Sequence, residues 1–291
     1  MARLKVSRRK GLTQGLEIIL VLAVLLILVI FAAKMYGSIN SRTTREACRT
    51  GVLAQSVVMS VDAPGVKGPA KEFLSPDCKT YNVKFYDNKV EINGKPIEVV
   101  DSRTKEATKK FNGLTSDIVN QVLAEELRWC WYQFLEGQRP ILDKRNFISF
   151  KFSNPRLCLL CDEVYFDSSV KESSFTGFYE YIQSEPMKQS NITYYNYIAE
   201  GSSLCKHYNP PKVNCWEDYF KDQITDKSSD FTPENLAFDK SREGGYVVFF
   251  VMRGLEGGGI SFNDKLSFFS SVLPSDELKN QCNSIRRGPM E

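Results

Sequence analysis

The chain has 291 residues, of which 42% are hydrophobic, 12% aromatic and 25% charged, and its formal net charge is +3. This composition excludes a polytopic membrane protein, which would be more apolar, and a disordered chain, which would be poorer in aromatic residues. The single histidine excludes a metal site built from several histidines and leaves at most one catalytic imidazole.

The N-terminus separates positive charge from apolar residues. Residues 1–15 hold five basic residues and no acidic residue, which leaves the rest of the chain with a net charge of −2. Residues 18–33 are all apolar, and extension of this run back to Leu12 would give a helix of roughly 33 Å, enough to cross a hydrocarbon core of ~30 Å. The sequence therefore predicts a basic cytoplasmic tail over 1–15 and a transmembrane helix over 16–34, either retained as an anchor or cleaved as a signal peptide.

The predicted topology places most of the chain outside the cell, because the basic flank stays inside. Residues 35–62 are expected to extend the membrane helix into a stalk, and residues 63–291 to form one extracytoplasmic domain. A stripe of small residues on the stalk allows close packing, either on the protein's own sheet or between identical subunits. This stripe comprises Ala47, Gly51, Ala54 and Val58.

The outer domain begins with strands and a long helix. Residues 80–100 predict a three-strand meander, because Asp87-Asn88 can turn the chain and Asn93-Gly94 is a strong two-residue hairpin signal. A helix is expected to begin near Ser116 and to stop at Gly137.

The remaining elements follow in mixed order. They are predicted strands Phe147–Phe152 and Leu157–Phe166, short helices around Phe178–Ile182 and Tyr194–Ile198, strands Tyr246–Arg253 and Leu266–Leu273, and a brief helix after Ser275. Because strands and helices do not alternate regularly, the order favours the α+β class. The predicted fold is thus an α+β domain, stabilised by disulfides, behind a transmembrane helix and a stalk.

Eight cysteines follow the predicted membrane helix. They are Cys48, Cys78, Cys130, Cys158, Cys161, Cys205, Cys215 and Cys282. On the outer side of a membrane they would meet oxidising conditions, so they are predicted to form disulfide bonds. About a hundred connectivities are open to eight cysteines; Cys205–Cys215 is the closest pair for a loop, and Cys48–Cys78 would tie the stalk to the sheet.

The segment Cys158-Leu159-Leu160-Cys161 is the sharpest local motif. Its spacing is compatible with structural disulfides, with metal ligands that would recruit Cys205, Cys215 or His207, and with a thiol–disulfide redox site. A redox site needs its first cysteine at a helix N-terminus, whereas Val164-Tyr165-Phe166 continues this segment as a strand. Structural disulfides are therefore favoured, and no metal, cofactor or catalytic residue is predicted.

Neither a carboxylate pair nor a nucleic-acid site emerges from the charges. Glu125 and Glu126 are adjacent on a helix and should diverge, which argues against a catalytic pair. The region after residue 15 has no basic cluster, so nucleic-acid binding has no electrostatic footprint.

Two further motifs concern surfaces. Trp129, Trp131 and Tyr132 either form an aromatic binding surface or pack in and beside the core, and packing is favoured. Asn191-Ile192-Thr193 is a sequon for N-glycosylation, usable in a cell that has the required machinery.

Two family resemblances complete the interpretation. Basic residues, then Lys10-Gly11, then Leu12-Thr13-Gln14-Gly15-Leu16-Glu17 and an apolar run resemble the N-terminus of type IV pilin-like proteins. This resemblance implies cleavage after Gly11, a mature N-terminus at Leu12 and a role for Glu17 in filament assembly, although Glu17 would be the sixth mature residue and the family has its glutamate at the fifth.

The second resemblance covers more of the chain. Arg45-Glu46-Ala47-Cys48-Arg49, Trp129-Cys130-Trp131 and Cys158-Leu159-Leu160-Cys161 resemble segments of uncharacterised single-span archaeal envelope proteins. This resemblance agrees with the predicted topology and implies no activity.

The sequence therefore predicts a single-pass, outward-facing protein of the cell membrane with a non-catalytic structural or binding role in the envelope. Its expected partners are the lipid bilayer and either identical subunits or other envelope proteins. One alternative is a pilin-like subunit that polymerises through its N-terminal helix. The other is a thiol–disulfide enzyme that uses Cys158 and Cys161.

Overall fold

The computed structural model describes residues 23, 26, 44–56, 78–101, 103–138, 156–188, 190–201, 236–254 and 266–288. The chain divides into two compact units, Met1–Thr44 and Arg45–Glu291. Helices and strands follow one another in mixed order within the second unit, as expected for an α+β domain. The predicted strand Phe147–Phe152 lies outside the described residues.

The transmembrane part of the predicted fold is wrong. Among the residues that the structure describes, no helix is long and apolar enough to cross a membrane. The longest helix, Ser116–Gln133, has 18 residues but carries three acidic residues and one arginine, and charges within a membrane segment are costly. Within the predicted span over 16–34, only Ala23 and Leu26 are described. The predicted localisation as a single-pass membrane protein depended on this helix and is therefore wrong as well.

The main sheet contains seven strands within the described ranges. The strands in chain order are β1 (Tyr81–Tyr86), β2 (Lys89–Ile92), β3 (Lys95–Pro96), β4 (Val99–Val100), β5 (Ala107–Thr108), β6 (Arg156–Phe166), β7 (Ser174–Phe175), β8 (Phe238–Asp239), β9 (Tyr246–Gly254), β10 (Leu266–Pro274) and β11 (Ser284–Arg287). The order in the main sheet is β10-β9-β6-β1-β2-β3, and β11 also pairs with β6. The pairs β4–β5 and β7–β8 form two small separate sheets.

The predicted meander at the start of the sheet is confirmed. β1 pairs with β2, and β2 with β3, in antiparallel register. Asn93 and Gly94 form the two-residue loop between β2 and β3 and have φ angles of 51° and 71°. Positive φ at both positions is the geometry of a type I′ hairpin, for which Asn-Gly is the preferred sequence.

The central strand β6 changes partner along one edge. Along this edge β6 pairs in parallel with β11 at 157–160 and then with β1 at 162–166. Along the opposite edge β6 pairs antiparallel with β9. Cys161 lies at the change, where the register with β9 shifts between Leu160 and Asp162. A bulge of this kind re-aims side chains, and here it sets the positions of Cys161 and Asp162.

The helices are α1 over 44–56, α2 (Ser116–Gln133), α3 (Phe178–Ser184), α4 (Tyr194–Gly201) and α5 (Leu278–Gln281). Thr115 is the N-cap of α2, since its hydroxyl accepts a hydrogen bond from the backbone N–H of Ile118 at 3.4 Å. α2 ends at Gln133, and a short 3-10 helix, Leu135–Gly137, follows it. α2 therefore stops four residues before the predicted Gly137, which instead ends the short 3-10 helix.

An aromatic cluster packs where the end of α2 meets β9 and β10. Phe250 contacts Trp131 at 5.7 Å, Phe134 at 5.0 Å and Phe268 at 6.0 Å between ring centroids. Gly137 has a φ of 64°, and a Cβ added there would lie 2.7 Å from both Phe268 Cβ and Trp131 Cη2. The close approach explains why a glycine occupies this position.

Candidate functional site

α1 packs on the rest of the domain through a face that the sequence does not predict. The buried residues of α1 are Arg45, Cys48, Val52 and Ser56. Within the predicted small-residue stripe, Ala54 is exposed, and Ala47 and Gly51 are only half-buried. The stripe is therefore not the packing face, because a buried arginine and a disulfide turn another side of α1 inward.

Three ionisable side chains meet in the core beneath α1. The guanidinium of Arg45 forms an ion pair with Glu126 of α2, and its Nη2 lies 3.8 Å from Oδ1 of Asp162 in β6. The side chains of Arg45, Glu126 and Asp162 are only 5%, 4% and 1% exposed. The guanidinium also lies over the ring of Tyr81, 4.5 Å from its centroid. We call Arg45, Glu126, Asp162 and Tyr81 the Arg45 cluster.

The cluster has one basic side chain for two acidic side chains, and the excess acidic group, Asp162, has a raised pKa. Burial raises the pKa of Asp162 well above its usual range, and the Glu126 carboxylate raises it further, while the guanidinium of Arg45 acts in the opposite direction. The contact between Arg45 and Asp162 is longer than a hydrogen bond, so it compensates only part of the cost of burying a second carboxylate. Asp162 therefore keeps its proton at pH values at which an exposed aspartate has lost it.

Arg45 and Tyr81 also keep their protons. Burial by itself lowers the pKa of Arg45, but attraction to Glu126 and Asp162 outweighs burial and leaves this pKa raised. Burial raises the pKa of the Tyr81 hydroxyl, which therefore stays neutral. The central pair is a charged arginine and one carboxylate.

Two disulfides surround the Arg45 cluster. Cys48–Cys78 joins α1 to the segment before β1, and Cys130–Cys161 joins α2 to β6. Each bond lies within four residues of a charged member of the cluster: Cys48 follows Arg45 by three, Cys130 follows Glu126 by four and Cys161 precedes Asp162. The covalent bonds thus hold the three elements that carry the charges.

A third disulfide, Cys158–Cys282, ties β6 to the segment between α5 and β11. Within the described ranges, every cysteine belongs to one of these three bonds. The prediction of disulfide bonds is confirmed for these six cysteines, and Cys205 and Cys215 lie outside the described residues.

The two cysteines of the Cys158-Leu159-Leu160-Cys161 motif have different partners. Cys158 bonds to Cys282, and Cys161 bonds to Cys130. Both motif cysteines lie in β6 and are buried, at 0% and 1% exposure. A redox motif needs an accessible cysteine with a stabilised thiolate, and this arrangement provides neither.

The adjacent carboxylates diverge as the sequence predicts. Glu126 points into the core toward Arg45, whereas Glu125 accepts hydrogen bonds from Arg128 at 2.7 Å and from the hydroxyl of Tyr194 at 3.2 Å. Burial and the nearby Glu125 carboxylate raise the pKa of Tyr194. Glu125 thus belongs to a separate, half-buried network.

Arginines cover the half-buried aromatic side chains of α2. Trp131 is fully buried, in agreement with the favoured prediction, whereas Trp129 and Tyr132 are partly exposed. The guanidinium of Arg128 lies 4.2 Å from the ring centroid of Trp129, and that of Arg49 lies 3.9 Å from the ring of Tyr132. Because cations occupy these rings, they are poor platforms for stacking a sugar.

Several predicted residues cannot be placed. Gly11, Leu12, Glu17 and His207 lie outside the described residues, so processing and filament assembly stay predictions. Asn191 is described and lies in an exposed bend before α4.

The Arg45 cluster is the feature that sequence reasoning missed, although two signals point to it. Glu126 falls among the apolar positions of α2, between Leu123 and Cys130, and is buried with them. Asp162 likewise interrupts the apolar segment that became β6. A charged residue on an apolar face predicts a buried partner, but the partner, Arg45, is 81 residues away from Glu126 in the chain.

Within the part of the chain that the structure describes, no group of three or more histidine, cysteine, aspartate or glutamate side chains could hold a metal ion. Comparison with protein-family models, with curated proteins and with solved structures finds no match. The geometry of the Arg45 cluster is that of a buried linkage between elements, since its charges are paired with one another and closed off from solvent.

Proposed function

We propose that the unit beginning at Arg45 is a cross-linked, non-catalytic module with a structural or binding role in an oxidising environment. The observation that carries this proposal is that six cysteines form three buried bonds between segments 30, 31 and 124 residues apart. Disulfides of this kind persist in oxidising compartments and are rare where cellular thiols keep cysteines reduced.

The Arg45 cluster supports the same proposal. A module that must keep its shape needs its N-terminal helix in a defined place, and α1 is held by Arg45 and Cys48 together. Buried ion pairs often add little stability over apolar residues of the same size. Their value here is that the pairing of Arg45 with Glu126 favours one rotation of α1 about its axis.

A thiol–disulfide enzyme is the less favoured function. Such an enzyme would cycle a bond between Cys158 and Cys161, but each is committed to another cysteine in the core. Opening this arrangement for catalysis would remove the covalent links of α2 and of the segment before β11 to β6.

Intact-mass thiol labelling of the full chain tests the proposal. We expect no labelling of the six described cysteines in the native protein, and peptide mapping should recover the bonds 48–78, 130–161 and 158–282. Mild reductant should leave these bonds intact until the protein unfolds, because the sulfurs are buried.

Reduction of a model disulfide substrate provides the matched functional assay. The wild-type chain should show the same background rate as the variant C130A/C161A, which lacks one motif cysteine. Rapid joint labelling of Cys158 and Cys161 in folded protein, together with substrate turnover that this variant loses, would overturn the proposal in favour of the enzyme.

A further inference from the structure

The loop between α3 and α4 carries the sequon Asn191-Ile192-Thr193 on the arm that leads into α4. The loop is closed at its base by a β-bridge between Pro186 and Thr193. The backbone N–H of Met187 donates to the carbonyl of Ile192 at 2.9 Å. Asn191 is exposed, and Ile192 is 45% exposed although it is a large apolar residue. The acceptor Asn191 is thus an exposed residue two positions before the bridged Thr193.

The third residue of the sequon is held in a fixed position. The hydroxyl of Thr193 accepts a hydrogen bond from the backbone N–H of Asn196 at 3.2 Å, at the beginning of α4. The hydroxyl of Ser190 accepts from the backbone N–H of Ile192 at 3.1 Å. Neither contact involves the side chain of Asn191, and Asn191 is exposed.

We propose that Asn191 carries an N-linked oligosaccharide. The donor is a lipid-phosphate-linked oligosaccharide, supplied with its transferase by the cell. In the transfer, Nδ2 of Asn191 forms a bond to the anomeric carbon of the first sugar. The bond between that carbon and the phosphate oxygen breaks, the lipid phosphate leaves with the electron pair, and the amide nitrogen loses one proton to a base.

Two independent features support this assignment. The sequon lies on an exposed loop, as the modification requires. The disulfides indicate an oxidising compartment, which is where secreted chains are modified. On this point the inference rests on the proposed function. A glycan at this position would also cover the exposed side chain of Ile192.

The test uses the full chain, expressed in its own source cell and analysed by intact mass and by peptide mapping. We expect a mass above that of the polypeptide and a glycopeptide that contains Asn191. N191Q should lose the added mass completely. T193S should keep it, because serine also supplies the hydroxyl of the sequon.

N196Q is the matched control, since Asn196 is exposed on α4 but lies outside any sequon, and it should keep the glycan. An unmodified Asn191 peptide from protein whose six described cysteines are oxidised would overturn this inference and leave the proposed function intact. Free thiols in the native protein would overturn both. Added mass that persists in N191Q would place the modification elsewhere and also overturn the assignment.

Discussion

The region around Arg45 and the region around Phe250 are stabilised by different interactions. In the first, α1, α2, β1 and β6 are joined by buried charges and by two disulfides. In the second, α2, β9 and β10 are joined by aromatic side chains whose ring centroids lie 5.0 to 6.0 Å from that of Phe250. The first region should therefore respond to pH and to reductant, and the second to the volume of its side chains.

The contrast follows from what each element can bury. β9 and β10 supply a run of fully buried apolar residues, so packing alone can hold them against α2. α1 buries only Cys48 and Val52 as apolar side chains. A helix with so little apolar contact needs other attachments, which the disulfide and the paired arginine provide.

The largest effect should come from removing the cation of the first region. R45A leaves the Glu126 carboxylate and Asp162 buried without their partner, and we expect a loss of about 3–5 kcal/mol in the free energy of unfolding at pH 7. R49A is the matched control, because Arg49 pairs with Glu136 at a half-exposed position, and it should cost about 1 kcal/mol or less.

Urea denaturation of the oxidised proteins measures both variants. The triple variant R45M/E126Q/D162N should regain most of the loss, since it removes the ion pair and the buried Asp162 carboxyl group together. A loss below about 1 kcal/mol in R45A would mean that the cluster is not the electrostatic linkage described above.

The second effect concerns the bond between α1 and the start of β1. C48A/C78A opens a loop of about 30 residues, and we expect a loss of about 3 kcal/mol, because the unfolded chain gains conformational freedom. Val52 and Arg45 should still keep α1 folded on the domain. Equal unfolding midpoints for the variant and the oxidised wild type would contradict the proposed role of this bond.

The third effect tests the aromatic region. F250L removes part of a ring that contacts Trp131, Phe134 and Phe268, and we expect a loss of about 1.5 kcal/mol. The loss should be the same at pH 5 and pH 8, since no charge changes. A loss that varied with pH would show that the two regions are coupled and would remove the contrast between them.

The sequence predicts the local parts of the fold better than its long-range contacts. The meander, α2, β6, β9 and β10 are predicted close to their observed limits, because periodicity and turn residues act over a few positions. The parallel pairing of β6 with β1 and β11 is not predicted, since it joins residues about 80 and 127 positions apart. The transmembrane prediction, which rested on the apolar run and its basic flank, is the clear error, since no helix among the described residues could cross a membrane.

The candidate site shows the same limit. Disulfide formation follows from the number and distribution of cysteines, but the partners of Cys158 and Cys161 depend on how α2 and the C-terminal segment pack on β6. The Cys48–Cys78 pair is one of the two candidate pairs that the sequence analysis names, and the structure confirms it. Glu126 and Asp162 stand out in apolar patterns, yet nothing in the sequence identifies Arg45 as their partner.

The smallest expected effect is the pH dependence of stability that Asp162 gives to the Arg45 region and that the aromatic region lacks. The pKa of Asp162 is raised in the folded protein, mainly by burial. As pH rises above about 4, the unfolded chain loses this proton while the folded protein keeps it, so Asp162 makes the wild type progressively less stable up to its folded pKa. D162N removes this penalty. We expect the variant to equal the wild type near pH 4 and to become the more stable of the two as pH rises toward 8.

D167N is the control of opposite sign. A hydrogen bond from Lys84 lowers the pKa of Asp167 to about 2, so the ionised carboxylate stabilises the fold above the unfolded pKa, and this benefit disappears as pH falls toward 2. D167N should therefore be less stable than the wild type at neutral pH and equal to it in acid. The free energies of unfolding of D162N, D167N and F250L are measured from pH 3 to pH 8. The difference between F250L and the wild type should not change with pH. If D162N instead lost stability relative to the wild type as pH rose, Asp162 would be ionised in the folded protein. The Arg45 cluster would then hold two charged carboxylates.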